Sequence, residues 1–141
     1  MKLKTFRGLL EDDTSLTVRL GTNDGLTGYR ISKFELMGSD PGQAHNENVV
    51  KIYTVEREVT NTINFDDPTL IAAAYYTNDK SRIYNPSSTV IFDSLKFNQD
   101  IFITCKQVDE TGTVNFYLEL EQIRLDLNEA TVATLKDMRG N

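Results

Sequence analysis

Residues able to do chemistry are scarce in this chain, and their spacing is as informative as their number. There is one histidine, His45, and one cysteine, Cys105. A lone Cys cannot close an intrachain disulfide, and it argues strongly against a Cys-based zinc site within one chain. Sites that need two His are excluded as well. His45 sits in a polar stretch beside Asn46 and Glu47. A triad with Ser39 or Asp40 has no support in the spacing, because no G-x-S-x-G elbow is present. His45 therefore reads as a surface residue. Cys105 alternates with Ile101 and Ile103, so it shares their strand face and reads as a buried, inert thiol. Residues 21–28 lack the Lys-Ser/Thr ending of a phosphate loop.

Carboxylates are the remaining candidates. Glu119 and Glu121, and likewise Glu56 and Glu58, stand two residues apart, about 7 Å along one strand face. Paired carboxylates could serve a glycosidase. Acid and base roles also need surroundings that push two pKa values apart, and both pairs lie among polar neighbours, so they read as solvated strand faces. The doublets Asp12-Asp13, Asp66-Asp67 and Asp109-Glu110 offer the hard oxygen ligands calcium takes. No run has the D-x-D-x-D-G spacing, and turn chemistry accounts for them. The expected catalytic, cofactor and metal sets are empty, and the chain reads as a non-enzyme.

The elements that must position these residues are short β-prone runs separated by polar turns. Residues 2–10 open with Leu3, Thr5 and Leu9. Residues 15–20 (SLTVRL) put Leu16, Val18 and Leu20 on one face, and residues 21–25 read as a hairpin turn. In residues 26–37, Tyr29 and Ile31 share one parity while Phe34 and Leu36 share the other. This predicts a bulge at Ser32-Lys33. Residues 38–48 read as an exposed polar loop, and 49–55 as a strand. Asp66-Asp67-Pro68 could open a helix. Residues 70–76 (LIAAAYY) pit three helix-favouring Ala against two Tyr, and strand is preferred because the flanks are strand-rich.

Further along, 84–88 reads as a turn, 89–92 as a short buried strand, 101–105 as a strand and 109–112 as a hairpin turn. Residues 113–125 alternate cleanly until Ile123 and Leu125 take the outward parity, which predicts a second bulge near Glu121-Gln122. Asp126 and Glu129 form a capping box for a helix over about 127–139. With about eight or nine short strands and one short C-terminal helix, residues 1–141 are expected to form a single all-β domain. The expected architecture is a jelly-roll-like β-sandwich.

Composition bounds the partners. Of 141 residues, 39% are hydrophobic and 26% charged, as in an ordinary globular domain. No apolar run approaches the ~18 residues of a membrane span. Charges run through the first ten residues, which argues against a signal peptide. The net charge of −6 is unfavourable for nucleic acid. The charge is also uneven. Lys2, Lys4 and Arg7 open the chain without an acid, whereas within residues 109–129 Asp109, Glu110, Glu119, Glu121, Asp126 and Glu129 face Arg124 alone. Such asymmetry could steer identical subunits head to tail, or the two segments could pair within one monomer. Tyr75, Tyr76 and Tyr84 suit a protein interface or sugar stacking. The expected interface residues are Lys2, Lys4, Arg7, Tyr75, Tyr76 and Tyr84.

The stretch from Asn48 to Arg139 carries a resemblance. It includes the segments VVKIYTVEREV, INFDDPTLIAAAYYTND, VIFDSLKFNQDIFITCKQ and LEQIRLDLNEATVATLKDMRGN, and the stretch covers about two thirds of the chain. They are similar to small structural proteins of tailed marine bacteriophages. The resemblance implies a β-sandwich subunit, made in the host cytoplasm and built into the virion. It would act as a capsid decoration or accessory protein contacting itself and other virion proteins such as the major capsid protein. It brings no defined site residues. A carbohydrate-binding module for host attachment, using Tyr84 and Asp79, is the alternative.

Overall fold

The computed structural model describes residues 2–21, 25–41, 45–79, 87–108 and 112–139. Eight strands form two antiparallel sheets, followed by one helix. The strands are β1 (Lys2–Leu10), β2 (Thr14–Val18), β3 (Thr27–Gly38), β4 (His45–Tyr53), β5 (Leu70–Asp79), β6 (Ser87–Phe92), β7 (Ile101–Gln107) and β8 (Val114–Arg124), and the helix is α1 (Leu127–Arg139). One sheet has the order β1-β8-β3 and the other β2-β7-β4-β5-β6. The chain therefore crosses between sheets from β1 to β2, β2 to β3, β3 to β4 and β7 to β8. This alternation makes a jelly-roll-like sandwich rather than a meander.

The core lies between the two inner faces. Ile31, Phe34, Leu36, Phe116, Leu118 and Leu120 of the three-stranded sheet meet Val50, Ile52, Ala72, Ala74, Ile101 and Ile103 of the other. Each large side chain buried in this way stabilises the fold by about 1.5–3 kcal/mol. The expected bulge is present: the β3–β8 register shifts between Ile31 and Lys33, which keeps Phe34 and Leu36 directed inward. Residues 70–76 are a strand. β5 is paired on both sides, and the two ladders override the helix preference of its alanines.

Several local expectations fail for identifiable reasons. β2 and β3, like β7 and β8, lie in different sheets and so form no hairpin, while residues 22–24 and 109–111 of the two expected turns lie outside the described residues. Turn-prone residues mark where a chain can reverse, not which sheet it joins next. The second bulge is absent. β8 keeps register with both neighbours through Glu121 and Gln122. Ile123 and Leu125 are apolar in the outward phase because α1 packs over that end of the sheet through Ala130 and Ala133, with Leu26 beside them.

The polar stretch 38–48 is shorter as a loop than expected, since β4 begins at His45. Asn46 and Asn48 lie in its ladder and are buried, which disguised the strand. The Asn46 and Asn48 amides both bond within this corner. Asn46 donates to Thr113 O at 2.9 Å and Asn48 to Gly112 O at 2.8 Å, tying down the β7–β8 crossover. β6 is an exposed edge strand, not a buried one. Asp67-Pro68 opens no helix. The Asp67 carboxylate instead accepts the Thr69 N–H at 2.9 Å in a tight turn. The helix and its capping box match expectation: Glu129 N–H donates to Asp126 Oδ1 at 2.7 Å.

Candidate functional site

Two outer faces of the sandwich compete for a functional role, and their chemistry differs. Over the five-stranded sheet the chain lays its own segment, residues 54–69, closed at its base by Thr54 N–H donating to Thr69 O at 2.9 Å. Beneath it lies Lys51, with no exposed surface. Its ammonium donates to Thr62 O at 2.6 Å and Thr60 Oγ1 at 3.0 Å and stands 5.5 Å from the Tyr53 ring centroid. Burial pushes the Lys51 pKa down, and the Asp67 carboxylate partly opposes that. Burial and Asp67 together push the Tyr53 hydroxyl up, against Arg57. Desolvation raises the Asp67 carboxyl, but hydrogen bonds from Thr69 and the Arg57 guanidinium outweigh it and hold the group low.

An amine of lowered pKa is the raw material of a Schiff-base lysine. Lys51 cannot serve as one, because its burial keeps any substrate carbonyl away. The arrangement is a clasp: Lys51, Arg57, Asp67 and Thr69 hold the 54–69 segment onto the sheet.

The outer face of the three-stranded sheet is open along most of its length. Register places three side chains in each row across β1, β8 and β3. The rows are Leu3, Glu121, Arg30; Thr5, Glu119, Lys33; Arg7, Tyr117, Glu35; and Leu9, Asn115, Met37. The first two rows satisfy themselves. Arg30 Nε donates to Glu121 Oε2 at 2.6 Å, and the bulge residue Ser32 donates to Glu119 Oε2 at 2.8 Å. The two carboxylates suspected of glycosidase chemistry are therefore committed to neighbours on the sheet.

The last two rows line a groove of about 500 Å³, with Tyr117 at its floor, Arg7 and Glu35 on opposite flanks, and Leu9 and Met37 at one end. Leu9 is 54% exposed and Met37 68%. Apolar side chains that far out of the core, in the outward phase and flanked by opposite charges, mark a docking surface better than a solvated one. The Lys33 ammonium stands over the Tyr117 ring, 5.7 Å from its centroid.

The expected interface residues are only partly brought together. Arg7 enters this groove. Lys2 and Lys4 lie on β1 but on the opposite strand phase, and the Lys4 ammonium reaches Tyr29 Oη at 3.5 Å. Tyr75 and Tyr76 point to opposite faces of β5. Tyr76 packs inward against the core, its hydroxyl next to Gly38, while Tyr75 lies on the outer side of the other sheet. Tyr84 and Asp109-Glu110 lie outside the described residues. The basic first strand and the acidic β8 are neighbours in one sheet, so the two charged ends of the sequence meet within the chain.

Sequence reasoning missed Leu9, Glu35 and Met37. Their signal was available: each falls in the outward phase of a strand whose inward phase is already filled, by Leu10 in β1 and by Phe34 and Leu36 in β3. Cys105 is buried, and desolvation, with Asp12 adding, pushes its thiol up to about 12. His45 is exposed at the start of β4. Among the described residues, no three His, Cys, Asp or Glu side chains converge as a metal site would require. The Asp12-Asp13 doublet is engaged elsewhere: Asp12 accepts the Gln107 N–H at 2.8 Å, and Asp13 lies 3.3 Å from Lys106. A second hollow, of about 610 Å³, lies between residues 93–96 and α1, but its Lys96 and Glu129 neutralise each other at 2.8 Å.

No family model matches the sequence, and no curated protein or solved structure matches it either.

Proposed function

We propose that this chain is a non-enzymatic structural subunit of a tailed-phage virion, a capsid decoration or accessory protein that works through protein contacts. The observation that carries the adhesive role is the open outer face of the three-stranded sheet. There Leu9 and Met37 stand in solvent beside Tyr117, between Arg7 and Glu35. Such a face combines apolar contact area with charges that fix orientation, the usual composition of a reversible protein interface. The virion assignment rests on the sequence resemblance together with the acidic, Cys-poor, all-β character of the chain. The major capsid protein and further copies of the chain are the natural neighbours of such a subunit.

The test is co-sedimentation with virions of the encoding phage. The wild-type chain is expected with the particles, and a Leu9→Glu/Met37→Glu double variant in the supernatant. A folded wild-type chain absent from the particles overturns the proposal. Carbohydrate binding is the second reading and has less behind it. A sugar would stack on the Tyr117 ring, and Lys33 already stands over that ring.

A further inference from the structure

The three-stranded sheet ends at β1, and the geometry points to this strand as a receiver. We propose that the free edge of β1 takes up an extended acidic segment of a partner protein, which adds antiparallel as a fourth strand. The inference rests on the reading that the domain acts through protein contacts, and it names the chemistry of one partner.

β1 runs nine residues without a bulge or a proline, in continuous register with β8 from Lys2 to Leu10. As the terminal strand of the order β1-β8-β3, it has a ladder on one side only. Its other side therefore presents backbone donors and acceptors in a row, a template for a further strand. Residues 2–5 are exposed on both strand phases, so the opposing sheet does not reach over this part of the edge.

The other three sheet edges are poorer templates. β3 is interrupted by its bulge at Ser32, and the Tyr29 backbone is already bonded on that side to Phe97 at 2.8 and 2.9 Å. β2 has five residues. β6 lies close alongside β3, within 8 Å between Cα atoms, which leaves no room for a strand between them.

Charge selects the occupant. Lys2, Lys4 and Arg7 lie along β1 with no acid among them. Pairing β1 with the β1 of a second copy would join two strands that each carry these three cations and no acid, which costs stability wherever like charges fall opposite. An added strand with acids opposite Lys2, Lys4 and Arg7 reverses the sign of that term. Apolar residues opposite Leu3 and Leu9 would extend the exposed apolar face, and the pattern predicted for the segment is apolar-x-acid-x-x-acid-apolar-acid.

The experiment titrates the full chain with the capped peptide Val-Thr-Glu-Thr-Thr-Glu-Val-Glu, using a fluorescent label, at about 0.05 M and about 0.5 M salt. Hydrogen exchange is followed on residues 2–10. Binding is expected at low salt, at least about tenfold weaker at high salt, with slowed exchange along β1. Arg7→Glu should weaken binding at least about tenfold, and a peptide with Lys opposite position 7 should restore it. Arg7 is exposed, so this variant is expected to fold. No binding, or equal binding of a scrambled peptide without protection of β1, overturns the inference. So does salt-resistant dimerisation through β1 that the peptide does not displace. If the wild type still joins virions while ignoring the peptide, this inference fails and the virion reading stands.

Discussion

The two outer faces of this sandwich began from similar strand patterns and met different ends. On the five-stranded sheet, outward residues of β4 and β5 include Lys51, Tyr53 and Ala73, and the chain spends sixteen residues, 54–69, covering them. On the three-stranded sheet, outward residues include Leu9, Tyr117 and Met37, and only the end near Ile123 is covered, by α1. One face is closed by a polar clasp that the chain supplies. The other keeps apolar surface in water, which folding alone does not reward. Among the described residues no segment covers that part of the sheet, and the proposed binding role rests on this contrast.

That contrast can be broken or sharpened by substitution. The largest effect is expected at the clasp. Lys51→Ala removes the donor to Thr62 O and Thr60 and leaves a void, so it should cost about 3 kcal/mol in denaturant unfolding. Loss below about 0.5 kcal/mol would mean that the 54–69 cover does not depend on it. At the helix-covered end, a Cβ on Gly28 would stand 2.8 Å from three side-chain carbons of Leu125. Gly28→Ala should therefore cost about 2 kcal/mol by overpacking and lower the thermal midpoint.

A gentler probe is alkaline pH. The Cys105 thiol has a folded pKa raised from 9.0 to about 12, so its contribution is full below pH 9 and is lost as pH rises toward 12. A pH series of urea midpoints should fall less steeply over that window in Cys105→Ala than in wild type. Equal slopes would show the thiol is not titrating behind the barrier its burial implies. The smallest effect is expected on the open face. Met37→Lys should change stability by less than about 0.5 kcal/mol while weakening particle binding. A large loss of stability there would make Met37 a core residue and remove the contrast.

Legibility followed the range of the forces involved. The bulge at Ser32, the capping box at Asp126 and the strand at 101–105 were readable because alternation and capping act over a few residues. Cys105 was placed correctly by its parity with Ile101 and Ile103. The β4 start was hidden because Asn46 and Asn48 are buried polar residues whose partners, Gly112 and Thr113, lie far along the chain. The outward Ile123 was mistaken for a bulge because the element covering it had not yet been placed. Arg7 was singled out from charge alone, and it lines the groove. The outward phase of Leu9 and Met37 was readable too, but not that they share a groove with Arg7 and Tyr117, which only the β1–β8–β3 registers bring about.

By itself, the sequence determined that this is an all-β chain with one capped helix. It set which residues face inward along most strands, and it lacks the clustered His and Cys that much enzyme chemistry requires. Those properties come from composition and from the two-residue period of a strand, both local. Which sheet each strand joins, which outer face is covered and which is left open were decided only by the tertiary structure. The reason is physical: a turn of a given composition can end in a hairpin or in a crossover, and the choice is made by the burial that the whole sandwich gains. The scarce chemistry of the sequence became meaningful only when folding showed where its exposed apolar and charged residues had been set side by side.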